Sequence, residues 1–424
     1  MNRTLLVAAW MLGWLVAGLP ALAGAPAPDP TVVLLSFDGT RPDEIRSEKL
    51  PTFARLLREG AAAERMDPVF PTNTFPNHAS LVTGVAPERH GIVNNQFLDP
   101  ERGFYDYDKG KDPTWFEAPP LWSILAAHGV PSASFHWVGS EGSWRDGTGP
   151  FEWKRFDART PVDAKVEQIL AWLDRPPGPT RPRFVTAWFR GADHEGHRHG
   201  PGSEEAARDL AAQDASLGRL VAGLETRGLL ASTTLLVVSD HGMARVERAV
   251  DLAGELREAG LRSRRTIAGG GFAIVYLEKA AQAERAIRVA RALGLEAFER
   301  RTAPRELRLG NDRFGDVVVI APVGTAFLRE SLSHRIAARL HLPGASLGGA
   351  HGYRPEEESM GAIFVAFGRG APAAAGLGRV RTLDVAPTVL ALLGVPAPAE
   401  LEGVAIPALV SPLAAVEAPS GMAR

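Results

Sequence analysis

Five short segments hold most of the side chains in this sequence that could ligate a metal or attack a substrate. They are Ser36 to Gly39 (SFDG), Thr72 to His78 (TNTFPNH), Asp193 to His197 (DHEGH), Ser239 to Gly242 (SDHG) and His351 to Tyr353 (HGY). Each alone is weak. Asp38 after an apolar run reads more readily as a helix cap than as a ligand, and Asp240-His241 reads equally well as a turn with a solvated imidazole. Taken together, the carboxylates of Asp38, Asp193 and Asp240 and the imidazoles of His197, His241 and His351 suffice for two divalent sites of three ligands each. Asp193 and His197 are four residues apart, which brings them to one side of a single helical turn. The chain has no cysteine, so thiolate metal sites, disulfides and thiol nucleophiles are excluded. Two Asp/His sites suit Zn²⁺, with Mn²⁺ as the alternative, and each keeps an open position. Two ions about 4 Å apart can hold the attacking and leaving oxygens of an in-line phosphoryl displacement.

Such chemistry needs a nucleophile, and Thr74 offers a hydroxyl beside an expected helix start. A threonine attacks only when a metal or base removes its proton, and free backbone N–H groups at a helix N-terminus would help hold a phosphate. The competing reading is that Thr74 or Asn77 merely caps the helix through Ala79 to Thr83.

These segments must be carried by a scaffold. With 424 residues, 45% hydrophobic and 23% charged, the chain has material for one large core or two moderate ones. Its net charge of -2 provides no global basic field, so no stable nucleic-acid complex is expected and phosphate chemistry must be local. Thr31 to Phe37 is an apolar, β-branched run with the character of a strand buried on both faces. Ser132 to Trp137, Phe184 to Trp188, Thr233 to Ser239 and Ala362 to Phe367 have the same texture. Pro51 to Glu59, Leu121 to His128, Val162 to Leu173 and Glu204 to Thr226 have helical spacing. The alternation predicts an α/β fold, a mainly parallel sheet between helix layers, and polar residues just past such strands are where open α/β sheets put chemistry. Within an expected catalytic domain of 31–407, residues 272–327 read as a small α+β excursion. Residues 408–424, rich in Ala, Pro and Ser, read as a flexible tail.

Arg3, the apolar stretch Leu5 to Leu19, Pro20 and Ala21-Leu22-Ala23 form the pattern of a secretory signal peptide over 1–23, cleaved after Ala23. This predicts an exported chain, periplasmic or secreted, with no membrane attachment after cleavage. The oligomeric state is left open.

The segments Phe70 to Gly84 (FPTNTFPNHASLVTG) and Pro87 to Asn95 (PERHGIVNN), followed in order by Gly191 to His197 (GADHEGH), Ser239 to Met243 (SDHGM), His351 to Tyr353, Ser359 to Phe364 (SMGAIF) and Leu392 to Pro396 (LLGVP), resemble the nucleotide pyrophosphatase/phosphodiesterase family of the alkaline phosphatase superfamily. The resemblance implies an alkaline-phosphatase-like fold and two Zn²⁺ per chain, one on Asp193, His197 and His351, the other on Asp38, Asp240 and His241. Thr74 would contact the second ion as nucleophile and form a phosphothreonine. Asn95 and the backbone N–H of Phe75 would donate to the phosphoryl group, and Phe75 and Trp188 would be the aromatic walls of a nucleobase site. A neutral Asn95 suits a monoanionic diester better than a dianionic monoester. Trp188 departs from the tyrosine common at its position, and Phe189 to Ala192 (FRGA) from the usual acidic approach to the metal aspartate. Arg190 reads as a surface residue and His78 and His90 as structural. The stretch Gln96 to Pro119 is long enough to contribute a substrate rim. Three functions remain in view: a small-molecule nucleotide or phosphodiester hydrolase, a phospholipid-type or glycerophosphodiester (choline) phosphodiesterase on the same centre, and a non-catalytic metal- or nucleotide-binding protein.

Overall fold

The computed structural model describes residues 29–328 and 347–410. The expected signal peptide, 1–23, and residues 411–424 of the expected tail lie outside the described residues. In chain order the strands that matter for the site are β1 (Thr31–Phe37), β2 (Ala61–Ala62), β3 (Ser132–Phe135), β4 (Glu152–Lys154), β5 (Phe184–Phe189), β6 (Thr233–Val238), β7 (Ser263–Gly269), β8 (Phe272–Leu277), β9 (Glu296–Glu299), β10 (Val317–Ile320), β11 (Phe364–Gly368) and β12 (Ala375–Gly376). The helices are α1 (Pro51–Glu59), α2 (Thr74–Thr83), α3 (Val162–Leu173), α4 (Asp193–His199), α5 (Glu204–Thr226), α6 (Ala283–Ala292) and α7 (Val385–Leu392).

Eight strands form the main sheet in the order β12-β2-β11-β6-β1-β5-β3-β4. Strand β11 runs against both neighbours, and every other pairing is parallel. The expected α/β class with a mainly parallel sheet is the observed one. All seven residues of β1 are buried, because both faces of the sheet are covered. Val33, Leu35 and Phe37 pack with Phe53 and Leu56 of α1, Ile169 of α3 and Leu217 of α5. Val32 and Leu34 belong to the opposite core, with Leu81 of α2 and Val389 of α7.

Local chemistry fixes the helix starts. Pro51 opens α1, where its missing N–H costs nothing. The first free amides of α1 are capped from another helix: the buried Asp214 of α5 accepts from Thr52 N at 3.0 Å and Phe53 N at 2.8 Å. Ser203 caps α5 by accepting from Ala206 N.

A second, antiparallel sheet has the order β7-β8-β10-β9. Ile274, Val318 and Ile320 on one face join the large core beneath α2. Ala273, Val275 and Val319 on the other pack with Ala286 and Ala290 of α6. Segment 272–327 carries three of these strands and α6, while β7 precedes it and pairs along β8.

Register determines what happens at the sheet edge. Strands β1, β5 and β6 are parallel neighbours, with Phe37 opposite Phe189 and Ser36 opposite Val238. The residues that follow, Asp38, Arg190 to Asp193, and Ser239 to His241, therefore emerge side by side at the carboxyl end of the sheet.

Candidate metal centre and adjoining cavity

The turns after β1 and β5 touch because two glycines let them. Gly39 has φ +63° and a Cβ there would lie 2.8 Å from the Asp193 Cβ; Gly191 has φ +55° and a Cβ would lie 2.1 Å from the Asp38 carbonyl oxygen. A side chain at either position is excluded both by the left-handed backbone and by the contact. The buried Gln213 of α5 clamps the same turn, donating to the Gly191 carbonyl at 2.8 Å and accepting from the Gly191 N–H at 2.9 Å. Ser239 accepts from Ile363 N and donates to the Thr40 carbonyl, tying the β6 turn to the β1 turn.

His351 arrives from the far end of the chain. A short antiparallel pairing, Ala244 with Ala350 and Arg245 with Gly349, joins the segment after His241 to the segment before His351. Thr72 then holds the His351 turn to the threonine loop, accepting from His351 Nδ1 and from Gly352 N on its carbonyl oxygen, both at 3.0 Å.

The result is one cluster of six donors. Asp193 and His197 lie on α4 as expected from their spacing, with Nε2 3.3 Å from Oδ1, and His351 Nε2 is 3.7 Å from the same oxygen and 3.2 Å from His197 Nε2. His241 Nε2 is 3.1 Å from Asp240 Oδ2 and 3.7 Å from Asp38 Oδ1. The His241 and His351 rings stack at 3.8 Å, so the two halves abut. Asp193, His197 and His351 form one group of converging ligand atoms; Asp38, Asp193 and His241 form another, and Asp38, Asp240 and His78 a third. Thr74 is the first residue of α2, and its Oγ1 is 3.3 Å from His241 Nε2.

The donor chemistry fits divalent cations. Each of His197, His241 and His351 presents Nδ1 to a backbone carbonyl, those of Gly349, Gly242 and Thr72, at 2.8 to 3.0 Å. A carbonyl only accepts, so the ring proton sits on Nδ1 and the Nε2 lone pairs face inward. Buried oxygens Asp38 Oδ1, Asp193 Oδ1 and Asp240 Oδ2 have no hydrogen-bond partner. Inward lone pairs against partnerless carboxylate oxygens are what cations would satisfy. Burial, and after it the charges of Asp240 and Asp193, push the Asp38 carboxyl well above its ordinary range. Burial, and after it the His241 and His197 rings, keep His351 neutral by lowering its pKa well below the ordinary histidine value.

His78 is the site neighbour that its structural reading leaves out. Its Nδ1 is 3.3 Å from Asp240 Oδ2 but 2.9 Å from the Thr74 carbonyl, and its Nε2 is 2.8 Å from Ser36 Oγ. Both nitrogens are engaged, which makes it a brace between α2 and β1. His90 is likewise buried and bonded, to Ser80 and Ile92 N. Arg190 pairs with Asp209 at 3.3 Å.

Beside Thr74 opens a cavity of about 210 Å³ lined by Phe75, Tyr107, Phe156 and Trp188, with Asn95, Lys111, His136 and Glu141 among its polar groups. Phe75 and Trp188 are the expected aromatics. Tyr107 comes from the long stretch considered as a rim, His136 lies in the expected strand Ser132 to Trp137, which ends at Phe135, and Phe156 and Glu141 come from loops that sequence reasoning did not single out. The Phe75 N–H donates to Asn95 Oδ1 at 2.8 Å. The two donors expected to act in parallel are thus bonded to each other, an arrangement that leaves the Asn95 amide NH₂ as the outward donor.

The sequence profile described as "Type I phosphodiesterase / nucleotide pyrophosphatase" matches residues 32–354, which include all six donors and Thr74. The chain belongs to this family. Among relatives of this phosphodiesterase family member is human ectonucleotide pyrophosphatase/phosphodiesterase family member 1, 35% identical over 219 residues, 50% of this chain and 24% of that protein. Venom phosphodiesterase 1 of Crotalus adamanteus is 33% identical over 220 residues, 51% of this chain and 26% of that protein. The matched part thus spans about a quarter of the length of these relatives. A structure of murine ectonucleotide pyrophosphatase/phosphodiesterase 5, an inactive variant in complex with AMP, superposes with a TM-score of 0.76 at 24% identity, covering 87% of this chain and 96% of that one. That likeness establishes the shared alkaline-phosphatase-like fold.

Proposed function

We propose that this chain is an exported, two-zinc phosphodiesterase and nucleotide pyrophosphatase that acts through a phosphothreonine on Thr74, with Mn²⁺ as the alternative metal. The observation that carries the reading is the convergence of six ligand-type side chains with three partnerless carboxylate oxygens beside one hydroxyl at the mouth of an aromatic cavity. Asp193, His197 and His351 would hold one ion and Asp38, Asp240 and His241 the other. When bound, such ions supply the charge that lowers the pKa of a hydroxyl and stabilises a departing oxygen. Thr74 Oγ1 gives up its proton and bonds to phosphorus as the bond to the leaving oxygen breaks, that oxygen departing as an alcohol or phosphate with a proton taken up from solvent; in the second step water bonds to phosphorus, the Thr74 oxygen leaves, and one proton of the water returns to Thr74. Asn95 Nδ2 donates to a non-bridging oxygen, a neutral donor suited to a singly charged diester. Phe75 and Trp188 stack on a base, with low selectivity among bases because every base has a π-face. The murine relative's AMP complex supports a nucleotide as occupant. The Leu5 to Leu19 stretch with Ala21-Leu22-Ala23 supports export; among the described residues no helix is long and apolar enough to cross a membrane.

A second reading, a choline-headgroup phosphodiesterase, is favoured by one feature: the cavity's aromatic rings and Glu141 also suit a quaternary ammonium. Hydrolysis of p-nitrophenyl thymidine monophosphate against p-nitrophenyl phosphorylcholine separates the two, with the nucleotide expected to win. Thr74→Ala should abolish turnover of either while two metals remain bound. Turnover that persists in that variant removes the covalent mechanism, and a wild-type chain inert toward both substrates favours the non-catalytic binding protein.

A further inference from the structure

Trp188 sits between the cavity and the metal ligands. Its indole Nε1–H donates to Asp38 Oδ2 at 2.7 Å, which is the oxygen opposite the partnerless Oδ1. Asp38 is 2% exposed, so this bond is formed out of water, and with Asp38 ionised, as a metal ligand must be, it is charge-assisted and stronger than a neutral one. It also settles the rotation of the carboxylate: with Oδ2 held by the indole, Oδ1 turns toward His241, 3.7 Å away. The indole is itself fixed from behind. Lys165, on α3 and 2% exposed, donates from Nζ to the Trp188 carbonyl oxygen at 2.6 Å and lies 4.7 Å from the centre of the Trp188 ring. Burial, and after it the Arg190 guanidinium, bring the Lys165 ammonium down to about 7, yet an amine donates this bond in either protonation state. On the solvent side Phe156 leans on the indole with centroids 5.7 Å apart.

We propose that Trp188 is a positioning residue for Asp38 as well as a wall of the cavity, and that Lys165 holds the indole in the one orientation that serves both. This rests on the reading of Asp38 as a metal ligand. A hydrogen-bond donor behind a ligating carboxylate fixes its orientation, and loss of such partners costs about 10- to 100-fold in metal affinity. A phenyl or phenol ring at this position would keep a wall but has no N–H at that point on the ring, so the coupling belongs to the indole.

The test measures metal and nucleotide binding separately. Zn²⁺ affinity of each site is read by competition with a graded chelator, and AMP affinity by calorimetry on fully metal-loaded protein. Trp188→Phe and Trp188→Tyr should each weaken one of the two metal sites by about 10- to 100-fold while AMP affinity stays within about threefold, because a ring still faces the base. Phe75→Ala, which removes the opposite wall, should do the reverse: weaker AMP binding with both metal affinities unchanged. If both Trp188 variants retain the two Zn²⁺ at wild-type affinity, the inference is overturned while the function reading stands. Metal loss of the same size in Phe75→Ala also overturns it, since a general collapse of the cavity would then be the cause. A wild-type chain that binds no divalent cation overturns the underlying reading, and this one with it.

Discussion

Gly110 gives a way to move one wall of the cavity without touching it. Its backbone is not in the left-handed region, so alanine is conformationally acceptable there. A Cβ on Gly110 would, however, lie 2.2 Å from Phe75 Cε2. Carbon atoms settle at about 3.5 Å or beyond, so the ring edge must retreat by roughly 1.3 Å. Tyr105 and Tyr107 bracket Phe75 edge-on at centroid distances of 6.3 and 5.5 Å, which leaves the cavity as the side with room. A base stacked on Phe75 is worth about 1–3 kcal/mol. Since Trp188 keeps the other face, the lower half of that range applies, a loss of about 5- to 30-fold in affinity. The assay is competitive inhibition by AMP, set beside turnover of methyl p-nitrophenyl phosphate, a diester with no base. Gly110→Ala should raise the AMP inhibition constant by that factor and leave kcat/KM for the methyl diester within about twofold. An unchanged AMP constant in a folded variant refutes the assignment of Phe75 as a wall, and equal losses on both measurements refute it too, by placing the damage at the reacting centre.

Two further outcomes follow from the site and its braces. Chelation under conditions shown to strip both metals should abolish diesterase turnover, and Zn²⁺ should restore it; activity indifferent to that treatment discredits the metal assignment. His90 predicts an acid limb in stability: burial lowers its folded pKa to about 3 from the ordinary 6.5, so only the unfolded chain takes up its proton between those values. Stability from this group is therefore complete above about 6.5 and declines as pH falls toward 3, with a loss of about 2 kcal/mol by pH 5 at 1.36 kcal/mol per unit. Urea unfolding at pH 7 and pH 5 should show a smaller difference for His90→Asn than for wild type by about that amount, and an identical difference would mean that His90 is not held neutral.

How much of this was legible in the sequence divides along a physical line. Strands β1, β5 and β6 announce themselves because a strand buried on both faces has no solvent side to interrupt its apolar run. Helices α3 and α5 have the ends expected of them, Val162–Leu173 and Glu204–Thr226, because their starts are marked locally, by Pro161 before the first and by the Ser203 cap on the second. Strand β7 is not legible: Ser263, Arg264 and Arg265 lie at an edge, and the side chains of an edge strand follow solvent exposure rather than a core. The metal-ligand types were visible because Asp and His cluster just past apolar strands, and register then does the convergence. Gln213 and Asp214 left a fainter trace, two polar residues within the long amphipathic α5, which in a buried stripe implies partners without naming them. The indole bond to Asp38 and the Phe75–Asn95 bond left none. Each joins groups far apart in sequence, 150 and 20 residues, through orientation alone, and residue type carries no information about which way an indole N–H or an amide will point. The same holds for Phe156 and Glu141, whose loops meet only once the sheet edge has assembled, while Tyr107 was signalled only by the length of its stretch. Chemistry that depends on which atoms are present is readable from a sequence of this kind; chemistry that depends on how they are turned requires the fold, and in this chain the second sort is what joins the aromatic cavity to the Asp/His cluster.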